Sequence, residues 1–113
     1  MSNIRPTRFY STKQEKKVAK VLKGKTVANS GATMFAKGDV STDSFLLECK
    51  TCTTRRKQFT LHKDWLDKLK EEAFAMGKYY NALVFDFGTP ERYYVIDELL
   101  FKQLVSMLED SIW

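Results

Sequence analysis

Gly38-Asp39-Val40-Ser41-Thr42-Asp43-Ser44-Phe45-Leu46-Leu47-Glu48-Cys49-Lys50 reads as a β-hairpin with a charged end. Side chains alternate along a strand, so Leu46, Glu48 and Lys50 share one face while Phe45, Leu47 and Cys49 share the other. A two-residue loop at Asp43-Ser44 sets Asp39 opposite Glu48, with Cβ atoms about 5 Å apart; a four-residue loop over Ser41 to Ser44 keeps Asp39 on that face. Like charges directly opposed on a half-buried sheet destabilise it unless a cation lies between them. The expected cation is Mg²⁺ or Mn²⁺, since hard ions favour carboxylate and water oxygen and retain open positions for a phosphate.

The rest of the chain supplies the elements around this hairpin. At 113 residues, with 43% hydrophobic and 13% aromatic residues, it has the size and composition of one folded domain, 1–113. No stretch reaches the roughly eighteen apolar residues of a membrane span, and Met1-Ser2-Asn3-Ile4-Arg5-Pro6 lacks a signal-peptide core, so a cytosolic location away from membranes is expected. Residues 1–11 read as an extended basic arm containing Arg5 and Arg8. Thr12-Lys13-Gln14-Glu15 reads as a capping box opening a helix, with Val18, Val21 and Leu22 as its buried stripe and Lys13, Lys16, Lys17 and Lys20 opposite. Two readings compete for Glu15: it closes the helix N-terminus, or it points inward as a third acid.

Lys25 to Asn29 reads as a short strand, and Ser30-Gly31-Ala32-Thr33 starts a loop. After the hairpin, Thr51 to Lys57 is a polar, cationic connection. Lys63 to Met76 has helical periodicity and Gly77 stops it. Tyr79 to Phe87 is apolar almost throughout, as a strand covered on both faces would be. Arg92 to Ile96 is a further strand, and Asp97 caps a last helix whose apolar arc, Leu99 to Leu108, is wider than one sheet face needs. That surplus reads either as a subunit interface or as core.

The net charge of +5 is unevenly distributed. Residues 1–60 hold thirteen Lys and Arg against four acids; residues 61–113 hold six against ten. The basic half contains the hairpin, which suits a polyanionic ligand such as nucleic acid. Arg5, Arg8, Lys13, Lys37, Arg55, Arg56 and Lys57 are the expected phosphate contacts. Cys49-Lys50-Thr51-Cys52 is a lone C-x-x-C, and a structural zinc site would need two further ligands where His62 is the only histidine. Cys49 therefore reads as a small core residue, and His62 as a surface or supporting one. The chain has no Gly-rich phosphate loop and no plausible Ser/His/Asp set.

The pattern D-x8-E-x-K on a hairpin, here Asp39, Glu48 and Lys50, resembles that of the PD-(D/E)XK nucleases, with Gly38 where the family often has proline. The order helix, strand, hairpin, helix, strand, strand, helix narrows the resemblance to the archaeal-type and phage Holliday-junction resolvases over about residues 11–87. Five positions match in order: Glu15, Ser30, Asp39, Glu48 and Lys50. Trp65 stands nearest to a glutamine that the family often carries. The resemblance implies an α/β fold, a restriction-endonuclease-like mixed β-sheet flanked by helices. It also implies a homodimer that nicks branched DNA at four-way junctions, with Asp39, Glu48 and Glu15 holding Mg²⁺ or Mn²⁺, Lys50 acting in the transition state and Ser30 near the phosphate. Three other readings compete: a DNA-processing nuclease of the same superfamily, a non-catalytic DNA-binding module, and a subunit of a larger complex.

Overall fold

The computed structural model describes residues 7–27 and 39–110; the side chains of residues 7–12 and of Asp39 lie outside that description. Eight elements follow one another: α1 (Thr7–Leu22), β1 (Lys25–Thr26), β2 (Asp39–Ser41), β3 (Phe45–Lys50), α2 (Lys63–Ala75), β4 (Tyr80–Phe85), β5 (Tyr93–Val95) and α3 (Glu98–Asp110). The fold is α/β, with a five-stranded mixed sheet in the order β1-β2-β3-β4-β5. All neighbours pair antiparallel except β3 and β4, which are parallel. A parallel pair needs a long crossover, and residues 51–62 together with α2 supply it.

The two-residue loop is the one adopted. Thr42 N donates to Phe45 O (3.0 Å), Phe45 N donates to Thr42 Oγ1 (3.1 Å), and Asp39 pairs with Glu48, Val40 with Leu47 and Ser41 with Leu46. Alternation then sorts β3 and β4 onto two apolar clusters. Leu47, Cys49, Ala82 and Val84 pack with Val40 and with Val18 and Ala19 of α1. Leu46 and Leu83 pack with Leu69 and Ala73 of α2, flanked by Trp65, Leu66 and Phe85. Helices thus cover both faces of the central strands, which is why β4 is apolar almost throughout.

Helix α1 starts at Thr7, five residues before the expected cap at Thr12. Residues 7–11 are therefore helical and do not form an extended arm. The physical reason is the absence of a breaker: no Gly or Pro lies between Pro6 and Gly24, so a capping-box pattern at Thr12 is overridden by helix propagation through it. The buried stripe also differs from the expected one. Gln14, Glu15, Val18 and Ala19 are buried, whereas Val21 is 60% exposed because it lies in the row of Lys13 and Lys17. The strand expected over Lys25 to Asn29 is assigned only at Lys25–Thr26, and Asn29 lies outside the described residues.

Later elements fall where periodicity puts them. Helix α2 ends in Met76 and in Gly77 at φ +71°, a left-handed stop open to glycine, with Lys78 N donating to Ala73 O (2.8 Å). Asp97 caps α3 by accepting from Leu100 N at 2.9 Å. Helix α3 buries only Leu100 and has no extensive packing against another described element. Leu99, Phe101, Met107 and Leu108 are each more than half exposed. The apolar surplus of this helix is therefore surface and not core. No described helix is long and apolar enough to cross a membrane.

Candidate active site

The hairpin brings Asp39 and Glu48 into direct register on neighbouring strands. Paired residues of an antiparallel ladder share a face, so both belong to the face that also carries Leu46 and Lys50, the side covered by α2. Glu48 is 2% exposed. A carboxylate at that depth is stable only where it is hydrogen-bonded or paired. A donor set of two carboxylates suits a hard divalent ion.

Lys50 follows two residues later on that face. Its Nζ lies 4.3 Å from the centroid of the Trp65 ring. A cation over an indole face is held by about 0.5–2 kcal/mol, more when partly desolvated. Trp65 is itself braced, with His62 at 4.4 Å and Phe59 at 6.1 Å between ring centroids, and Phe59 stacks on Phe85 at 4.4 Å. The connection after β3 therefore folds back over the α2 face, and Trp65 positions the ammonium. His62 is exposed and precedes α2, a supporting residue as its place in the sequence indicates.

Glu15 is buried on α1. The ninth residue of that helix has no role at its N-terminus, so the capping reading is excluded. The inward reading holds in direction, yet α1 covers the Leu47 and Cys49 side of the sheet, whereas Glu48 and Lys50 emerge on the α2 side. The structure thus unites Asp39, Glu48 and Lys50 and places Glu15 in the opposite layer. Among the described residues, no cluster of three acidic, His or Cys side chains is arranged to hold a metal ion. Ser30, Arg5 and Lys37 lie outside the described residues, as does the side chain of Arg8. Lys13, Arg55, Arg56 and Lys57 are exposed.

Two residues that organise this region escape a reading by motif: Gln14 and Asp86. Asp86 is 7% exposed and its carboxylate accepts four hydrogen bonds. Gln14 Nε2 (2.9 Å) and Thr51 Oγ1 (2.7 Å) donate to Oδ2, while the backbone N–H groups of Cys52 (3.2 Å) and Gly88 (2.8 Å) donate to Oδ1. Gln14 Nε2 also donates to Lys50 O at 3.0 Å. One carboxylate therefore ties α1 to the chain leaving β3 and the chain leaving β4, and it fixes the backbone of the proposed catalytic lysine. Gly88, at φ +83°, lies so close to the Thr54 and Arg55 backbone that a Cβ has no room. The only sequence signal was an acid and a glycine closing an apolar strand, a pattern shared by many turns.

The cysteines form no disulfide. Cys49 is 5% exposed in the α1-side core, as expected of a small core residue. Burial pushes the Cys52 thiol up, the nearby Asp86 carboxylate adds to the rise and the Arg56 guanidinium opposes it. A thiol held protonated in this way is a poor nucleophile and a poor metal ligand.

No family model matches the chain, and no curated protein or solved structure matches it either. The chemistry of the site is accordingly argued from its own geometry.

Replacing Asp86 with Ala strips four donors of their acceptor inside the protein. Unfolding by urea should show a loss of more than about 3 kcal/mol, from several unsatisfied buried groups at about 1–3 kcal/mol each. Lys63→Ala, which removes only the exposed ion pair to Asp67 (3.0 Å), should cost well under about 1 kcal/mol in the same measurement.

Proposed function

We propose that this protein is a metal-dependent endonuclease of the restriction-endonuclease-like type, acting on branched DNA and nicking both strands of a four-way junction as a homodimer. The observation that supports the reading is the direct opposition of Asp39 and Glu48 across the hairpin, with Lys50 two residues on along the same face. Such an arrangement meets the three needs of phosphodiester hydrolysis: two anionic oxygens for a hard cation, an ammonium for the developing charge, and a basic surround for the substrate backbone.

Asp39 and Glu48 would hold Mg²⁺ or Mn²⁺, which when bound supplies Lewis acidity and a water of lowered pKa. Lys50 then serves charge that develops on the non-bridging phosphate oxygens, and the Trp65 ring keeps its ammonium from relaxing into solvent between turnovers. Arg55, Arg56 and Lys57, exposed on the connection directly beyond β3, contact the DNA backbone. They set affinity and carry no sequence information. Lys13 adds to that surface from α1, and Arg5, Arg8 and Lys37 remain part of the proposed contact set. The resemblance also implies Ser30 and Glu15, but Glu15 lies on the helix that covers the other face of the sheet and is not assigned to the metal.

The two-fold partner is assigned to α3. Its exposed apolar residues, Phe101 among them at 59%, supply area that a symmetric interface would bury. Two copies joined there present two hairpins to one junction.

A labelled four-way junction beside its linear arms, with and without Mg²⁺, tests the proposal. Paired, Mg²⁺-dependent nicks in the junction alone are expected; equal treatment of all substrates removes junction selectivity, and inertness with either metal removes the nuclease reading. Lys50→Ala should lower cleavage by orders of magnitude while binding changes by less than about tenfold, since one cation among many is lost. Phe101→Glu should halve the mass seen by light scattering and uncouple the two nicks, with each strand cut independently.

A further inference from the structure

The α2 face of the sheet carries a continuous run of six rings. His62 adjoins Trp65, the ring under the Lys50 ammonium, and Trp65 adjoins Phe59, which stacks on Phe85. Phe85 in turn meets Phe87 at 5.4 Å and Tyr93 at 5.8 Å, and those two lie 5.6 Å apart between centroids. Strand register sets the alignment. Lys50 pairs with Phe85 and Phe85 with Tyr93, so an ammonium, a phenyl and a phenol stand in one row across β3, β4 and β5. Two strand spacings separate Lys50 from Tyr93, about 10 Å.

Burial changes along this run. Phe59, Trp65, Phe85 and Phe87 are half-buried, whereas Tyr93 is 48% exposed. Helix α2 packs on β3 and β4, and β5 is the edge strand beyond them, so the Tyr93 ring is backed by Phe85 and Phe87 and open on its outer side. A ring held by packing yet still wet is a stacking surface for another flat group.

The charge around the run indicates what stacks there. From Lys50 to Lys63 the chain carries five cations and no acid. The Arg56 N–H bond to Phe87 O at 2.8 Å pins the middle of this segment beside the rings, and Arg55, Arg56 and Lys57 are exposed on it. A polyanion that has π faces of its own complements both features at once. We infer that Tyr93 stacks an unpaired base of a DNA strand whose backbone runs along Arg55, Arg56 and Lys57 to Lys50. Bases inside a duplex are stacked on one another and offer no free face, so the ring selects single-stranded nucleotides. The inference rests on the nucleic-acid reading proposed above and deepens it by naming the substrate, a branch point with unpaired nucleotides beside the cut. The stacking needs no metal.

Fluorescence anisotropy in EDTA tests it, using the full chain with an end-labelled thymidine strand, a strand of the same length whose sugars carry no base, and a duplex of that length. The thymidine strand should bind about tenfold tighter than the abasic one, the equivalent of one stacked base. Tyr93→Ala should erase that difference while affinity for the abasic strand and the duplex stays within about twofold, and Tyr93→Phe, which retains the ring, should preserve it. The comparison of thymidine with abasic strand is made on the wild type, so it decides even where a variant is less stable. Equal binding of those two strands overturns the inference, as does a preference that survives Tyr93→Ala, and so does a failure to bind any of the three, which would leave the rings to a protein partner. Metal-dependent nicking that is absent while the base preference is intact counts against the nuclease reading alone; nicking without a base preference counts against the stacking ring alone.

Discussion

The register of β3 is the constraint on which the rest depends. This strand is bound antiparallel to β2 on one side and parallel to β4 on the other, and a slip of one residue would turn Leu47 and Cys49 out of the α1-side core and drive Glu48 and Lys50 into it. Two apolar clusters on opposite faces make such a slip prohibitively costly. The same packing that stabilises the sheet therefore fixes the buried Glu48 in register with Asp39. Stability and the proposed chemistry would thus be joined at this strand.

The carboxylate of Asp86 extends that order beyond the strand ends. It joins three separate pieces of chain and, through Gln14, holds the carbonyl of Lys50. A connection of twelve residues without secondary structure, 51–62, would otherwise leave β3 in many conformations. With Asp86, the Arg56 N–H to Phe87 O bond (2.8 Å) and the Phe59 stack on Phe85, it is anchored at its start, middle and end. The basic residues on it are thus displayed from a fixed backbone.

Much of this was legible before any coordinates. Alternation assigned Asp39 and Glu48 to one face with either loop length, and the two-residue loop that the chain adopts sets them directly opposite. The stops at Gly77 and Asp97 were legible from local backbone chemistry. The start of α1 was not, since Thr12 and Glu15 make a convincing cap in isolation and only the continuity of the helix back to Thr7 overrides it. Burial within α1 was misjudged for a related reason: Val21 is apolar, but the helix turns toward the sheet along the Gln14, Val18 row. Neither the Asp86 node nor the hold of Trp65 on Lys50 leaves a periodic trace, as both join residues far apart in the chain through tertiary packing. The separation of Glu15 from Glu48 is of the same kind, because periodicity assigns an inward face but not which side of the sheet the helix covers.

The central claim is that Asp39 and Glu48 are opposed in order to share a divalent ion, and direct Mn²⁺ binding tests it most closely. Titration of the free ion signal by electron paramagnetic resonance, on the wild type and on Asp39→Asn and Glu48→Gln, reads occupancy without reference to any substrate. The account predicts one ion bound per chain in the wild type, a loss of affinity in both variants, and competition by Mg²⁺. Wild-type binding no stronger than that of either variant would contradict it.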